Sequence, residues 1–183
     1  MPTIVTHAVV AMTLGRAATG ARPFPRRWWV LTAALSILPD ADVIGWGLVP
    51  YDSPLGHRGL THSLAAAAVV GLAVTRVLGV GSGLRWWIVW AYCFAVMASH
   101  GILDALTGGG EGVAFFAPFD DTRYFFPWRP VRVSPIGLDF FGRAGLGVLA
   151  SELLWLWLPA GVVLAVSRLR RRCARSSRSL PRG

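Results

Sequence analysis

The four histidines and three of the nine acidic residues of this chain fall into four short runs. These are Thr6-His7, Leu38-Pro39-Asp40-Ala41-Asp42, His57-Arg58-Gly59-Leu60-Thr61-His62 and Ser99-His100-Gly101-Ile102-Leu103-Asp104. Imidazole nitrogen and carboxylate oxygen together suit zinc, manganese or another first-row ion. His100 and Asp104 are four apart, so on a helix both project from one face and can share or bridge a metal. The competing reading is a plain His–Asp hydrogen bond inside a helical bundle. Asp40 and Asp42 follow Pro39, which ends or bends a helix. Two apart, they point to different faces, so one ligates while the other orients a histidine.

The other runs are weaker alone. His57 and His62, five apart, do not stack on one helical face; His62 is the better ligand, and His57 takes a second metal or touches substrate. Thr61 or Ser63 can cap the helix that follows, and Arg58 can clamp a phosphate. His7 gains weight only from its company. The candidate metal ligands are thus His7, Asp40, Asp42, His57, His62, His100 and Asp104.

These residues must be positioned by apolar segments. The chain of 183 residues is 54% hydrophobic and only 15% charged, with a mean hydropathy of +0.53, outside the usual soluble range. We expect an all-α, multi-pass transmembrane bundle of four to five helices. Five apolar segments are legible: 4–18, 28–49, 63–78, 86–106 and 146–166. The last four approach the ~20 residues that cross a bilayer, while the first is short and polar enough to span, lie in the interface or pack inside the bundle. Polar groups on such segments are costly unless they pair or bind something.

The net charge of +9 invites a nucleic-acid reading until it is located. Seven of the eighteen arginines lie between Arg168 and Arg182, and without them the balance is +2. Such a run after an apolar segment fits the positive-inside rule and anionic lipid headgroups better than a nucleic-acid groove. We therefore divide the chain into a membrane domain, 1–167, and a basic cytoplasmic tail, 168–183. Arg22, Arg26 and Arg27, then Arg76 and Arg85, join that tail on the cytoplasmic side. All four metal-ligand runs then fall toward the outer ends of their helices, although the topology was drawn from arginines alone. Cys93 and Cys173 offer neither a disulfide framework nor a thiolate site. A secretory signal pattern is missing at the N-terminus, so the first segment is expected to stay in the mature chain.

The connection from Thr107 to Arg143 is rich in Gly, Pro and aromatic residues, which argues for an ordered segment over the outer mouth or in the headgroup layer. Its Arg123, Arg129 and Arg132 bind anionic substrate or lipid headgroups, or else form a solvated face. Glu152, Asp139 and Arg143 read as a structural ion pair or as interfacial solvation. The tryptophan pairs Trp28-Trp29 and Trp86-Trp87 read as interface anchors.

On these runs, together with Ser63, Ala105-Leu106-Thr107, Ala117-Pro118-Phe119 and Arg123-Tyr124, the chain resembles the bacterial LexA-binding, inner-membrane-associated hydrolase family, also called membrane-bound metal-dependent hydrolases. The resemblance covers nearly all of residues 3–166. More distantly, the series His7, Asp40 or Asp42, His57 or His62, His100 and Asp104 is similar to the first part of the zinc phospholipase C and single-strand nuclease site. The further histidines of those enzymes have no counterpart here, so one or two ions are implied rather than a three-zinc cluster.

The resemblance implies an inner-membrane hydrolase acting on a phosphodiester or phospholipid through a metal-activated water, the metal being zinc or manganese. Asp104, Arg58 and Arg123 are the candidate catalytic residues, the arginines stabilising developing phosphate charge. Membrane lipids, a small phosphate ester or lipid as substrate, and a regulatory protein are the expected partners. Two other readings use the same ligands. One is a metal transporter, against which no inverted repeat is visible; the other is a regulatory or scaffolding protein with a structural metal.

Overall fold

The computed structural model describes residues 1–18, 26–78, 83–135 and 137–176. Arg22 and the end of the basic tail, from residue 177, lie outside the described residues. The order is α1 (Ile4–Ala18), α2 (Arg26–Ile37), a 3-10 helix (Leu38–Gly45), a 3-10 turn (Leu60–His62), α3 (Leu64–Leu78), α4 (Trp86–Ala105), a 3-10 turn (Gly137–Phe141), α5 (Arg143–Glu152), a π-helical turn (Leu153–Trp157) and α6 (Leu158–Ser176). No strand occurs among the described residues, and the expected all-helical bundle is the architecture found. The last helix crosses the 167/168 boundary without a break.

Among the described residues, three helices are long and apolar enough to cross a membrane: Arg26–Gly45, Trp86–Ala105 and Arg143–Arg170. The third apolar segment, expected to approach a full span, yields a helix of only 15 residues, roughly 22 Å at 1.5 Å per residue. The helix fills nearly the whole segment, and residues 57–62 ahead of it form turns and a 3-10 turn that carry His57 and His62. Ser63 then caps α3, its Oγ accepting the Ala66 N–H at 3.0 Å. The second segment divides at Pro39, which stands at the N-terminus of the 3-10 helix. Proline there offers no N–H and disfavours α geometry in the residue before it.

Ala11, Trp28, Leu35, Val89, Tyr92, Cys93 and Val96 form the main core between α1, α2 and α4. Glycine lets α3 approach α4: a Cβ on Gly71 would lie 3.0 Å from the Phe94 backbone nitrogen. Val30, Val69, Val77 and Val162 point outward with at least 62% exposure, as lipid-facing side chains do. The arginine end of the bundle is marked by Arg16 over the Trp29 ring and Arg76 over the Trp86 ring. Opposite it, segment 107–135 packs over the other end and buries Val113, Ala114, Ala117 and Val131. Its backbone is tied down by Leu64 N–H to Phe115 C=O at 2.9 Å and Ala114 N–H to Arg58 C=O at 3.0 Å.

Candidate metal centre

Three elements deliver four donors to a common point at that second end. Asp40 comes from the 3-10 helix after α2, His62 from the turn before α3, and His100 and Asp104 from the last turns of α4. One ligand atom from each lies within 4.8 Å of all the others. The Asp40 Oδ1 is 3.2 Å from His100 Nε2 and 3.6 Å from His62 Nε2. The Asp104 Oδ2 is 3.7 Å from His62 Nε2 and 3.9 Å from His100 Nε2. Ligands on a tetrahedral zinc with ~2.05 Å bonds stand about 3.3 Å apart. The spacing therefore fits a small cation better than direct hydrogen bonding, which wants under ~3.2 Å.

The chemistry of the donors agrees with the spacing. His62 Nε2, His100 Nε2 and both oxygens of Asp40 and of Asp104 are buried without a hydrogen-bond partner, although buried polar groups are normally paired. The outer nitrogens of the same rings are engaged. His100 Nδ1 donates to the Ser36 carbonyl at 2.7 Å, which leaves the Nε2 lone pair free to face Asp40 and Asp104. His62 Nδ1 sits 3.2 Å from Asp42 Oδ2 and 3.0 Å from Thr61 Oγ1. Held at Nδ1, each ring presents Nε2 as metal-ligating histidines do. Burial works against a charged His62, but Asp40 and Asp42 outweigh it and raise its pKa above the ordinary value of 6.5.

Asp42 turns away from this point. Its Oδ1 accepts from His57 Nδ1 at 2.7 Å, and its Oδ2 accepts from Thr61 Oγ1 at 2.7 Å and from the Arg58 N–H at 3.2 Å. Of the two aspartates, then, one faces the cluster and the other orients histidines. Asp42, His57 and His62 form a second close group, but Asp42 and His57 already satisfy each other. His7 stands at the margin: its ring stacks on His100 with centroids 3.8 Å apart, and its Nε2 is 3.7 Å from Asp104 Oδ1. It lies outside the four-donor group, yet both its ring nitrogens are buried and unpartnered. The close approach of the turn before α3 to α4 depends on Gly101, where a Cβ would stand 3.0 Å from the His62 carbonyl oxygen.

Comparison with known proteins places the chain by descent. The YdjM inner membrane protein family matches residues 1–172. The chain belongs to that family. It is 38% identical over 179 residues to the inner membrane protein YbcI of Escherichia coli (strain K12), a match spanning 94% of this chain and all of that one. No solved structure matches it. Family membership and the apolar helices together make it an inner-membrane protein.

The two candidate catalytic arginines of this family member are engaged differently from expectation. Arg58 is 2% exposed; its Nε is 3.0 Å from Asp104 Oδ2, as an ion-pair contact rather than an aligned hydrogen bond. Its Nη1 donates to the Gly109 carbonyl. Arg58 therefore balances Asp104. It does so from a left-handed backbone, φ 63°, a conformation that costs roughly 1–2 kcal/mol in an L-residue and that collects at functional sites. Arg123 donates to the carbonyls of His57 at 2.9 Å and of Tyr51 at 2.6 Å, so it clamps the 51–57 loop. That loop's curvature leaves carbonyls without helical partners, and the guanidinium fork satisfies them.

Two clefts adjoin the centre and share Trp46, Tyr51 and His57 as lining, with volumes of ≈ 480 Å³ and ≈ 540 Å³. Arg58 lines the larger one, so a cleft residue touches the cluster directly. The four donors line neither. Glu152, expected in an ion pair or in interfacial water, is fully buried and bonded to the Thr3 amide and to the hydroxyls of Thr3 and Thr6 at the start of α1.

Proposed function

We propose that this inner-membrane protein is a metal-dependent hydrolase of phosphate esters, holding one divalent ion, zinc in the first instance and manganese in the second, at Asp40, His62, His100 and Asp104. The observation that carries the reading is the convergence of four donors with no other hydrogen-bond partner, on histidines whose second nitrogens are engaged. When bound, such an ion supplies Lewis acidity that activates water and polarises a phosphoryl oxygen. The chain's own residues hold and orient. Asp42 and Thr61 fix the His62 ring, the Ser36 carbonyl fixes His100, and Arg58 offsets the charge of Asp104 so that two carboxylates can share a buried point. His57 and Arg58 connect the centre with the larger cleft, where a substrate phosphate is received. The arginine end faces the cytoplasm under the positive-inside rule, and the centre lies toward the outer face.

A second reading is a regulatory or scaffolding membrane protein with a structural metal, in line with the resemblance to a LexA-binding family. It is favoured by one observation, that none of the four donors lines a cleft; structural sites are closed, and catalytic ones keep an open position. The test is hydrolysis of a chromogenic phosphodiester by the zinc-loaded, detergent-solubilised chain. Turnover that disappears in Asp104→Asn and on chelation supports the hydrolase. Stoichiometric zinc with no turnover on phosphodiesters, phosphomonoesters or phospholipid vesicles puts the structural reading in its place.

A further inference from the structure

The most completely satisfied buried acid of the molecule lies outside the metal centre. Glu152 is 0% exposed and sits within an apolar helix, where a carboxylate is expensive and carries a function by default. All its partners lie in the first turn of α1 or on the residue just before it. Oε1 accepts the Thr3 N–H, and Oε2 accepts Thr3 Oγ1 at 2.7 Å and Thr6 Oγ1 at 2.8 Å. A second side chain from the same helix reinforces the link, since Trp157 Nε1 donates to Thr6 Oγ1 at 2.7 Å. Glu152 and Trp157 are five apart and would diverge on an α-helix. The intervening π turn, Leu153–Trp157, has i→i+5 periodicity and brings them to one side.

The need for this link is written into α1. The helix opens Ile4-Val5-Thr6, three β-branched residues with low helix propensity, and has no acid in its first turn. Thr3 Oγ1 accepts the Thr6 N–H at 3.3 Å, but the positive end of the dipole meets no acid of its own helix. Glu152 supplies from another helix the acid that α1 does not carry. The residue directly after Thr6 is His7, whose ring stacks on His100 and whose Nε2 lies 3.7 Å from Asp104 Oδ1.

We propose that Glu152 is a positioning residue of the metal centre: through Thr3 and Thr6 it fixes the start of α1 and so holds His7 against the Asp104 carboxylate. The inference rests on the metal reading, and the experiment separates the two. Zinc dissociation constants are measured by chelator competition on the full chain in detergent, for wild type, Glu152→Ala, Thr6→Val, Thr6→Ser, His7→Ala and the Glu152→Ala, His7→Ala pair. We expect Glu152→Ala to weaken zinc about 10-fold, the low end of the range for direct outer partners of metal ligands, because it acts through Thr3, Thr6 and His7. Thr6→Val should weaken it in the same direction, while Thr6→Ser, which keeps the hydroxyl, binds as wild type does. In the His7→Ala background Glu152→Ala should add nothing, because its effect travels through that ring.

Wild-type zinc affinity in both Glu152→Ala and Thr6→Val overturns the inference and leaves the metal centre standing. So does a Glu152→Ala loss of equal size with and without His7, which would mark a general effect on folding. Should Glu152→Ala fail to accumulate, the Thr6→Val and Thr6→Ser pair decides the matter alone. A wild-type chain that binds no zinc removes the metal reading and this inference with it.

Discussion

Two buried polar assemblies lie about one helical turn of α1 apart and obey opposite rules. Around Glu152 every carboxylate oxygen has a donor. Around Asp104, neither oxygen has a hydrogen-bond partner, and the facing Nε2 atoms of His62 and His100 have none either. Burial is complete in both places, so exposure does not distinguish them. A satisfied network rigidifies, whereas a buried group without a partner costs about 1–3 kcal/mol. Several such groups aimed at one point make sense only if something else completes them. The first assembly holds helices together, and the second is the one we propose an ion completes.

The largest effect should come from removing the carboxylate common to the centre and to Arg58. Asp104→Ala leaves the guanidinium buried without its partner and should cost about 3–5 kcal/mol, together with the loss of bound zinc. Thermal unfolding in detergent, with and without zinc, reads both; a variant as stable as wild type would show that the two assemblies do not differ as described. Next in size is chelation. Stripping zinc from a chain held at a thousand times its dissociation constant removes about 4 kcal/mol, so the melting temperature should fall in wild type and in Thr6→Ser but stay unchanged in His100→Ala.

A smaller effect should come from one layer out. Asp42→Asn keeps the side-chain shape but weakens the acceptor that faces His57, Thr61 and His62, and should lower zinc affinity about 10- to 100-fold. Equal affinity in that variant would mean that His62 is held by its packing alone. The smallest is a pH dependence. In the metal-free chain His62 has a pKa raised by Asp40 and Asp42, so its protonated form is stabilised relative to an unfolded chain below 6.5. That contribution is lost as pH rises through the higher folded pKa. Metal requires the neutral ring, so the gap in melting temperature between zinc-bound and zinc-free protein should widen with rising pH. A gap constant across that window would remove His62 from the ligand set.

Much of the centre is visible in the sequence because its donors are rare residue types on apolar segments. The different surroundings of Asp40 and Asp42 agree with their spacing, since residues two apart on a helix project from different sides and here reach opposite nitrogens of His62. Other parts left no trace. The group that orients His100 is the Ser36 carbonyl, and a backbone oxygen has no sequence signature. Thr61 was legible as a cap and serves instead as a donor to Asp42, because the chain starts α3 at Ser63. Arg58 and Arg123 looked like anion clamps; the carbonyls and the carboxylate that engage them come together only in the folded loops. Glu152 was seen but misjudged, as its partners lie about 150 residues away. The third helix falls short of a full span because its apolar segment is short, residues 57–62 ahead of it forming the turns that carry His57 and His62.

The account stands or falls on the ion. Metal content of the purified chain, measured by elemental mass spectrometry beside a His100→Ala, Asp104→Ala variant, tests it most directly. We predict close to one zinc per wild-type chain and none in the variant. A wild-type chain free of metal after purification and zinc reconstitution, or a variant that keeps its zinc, would contradict it.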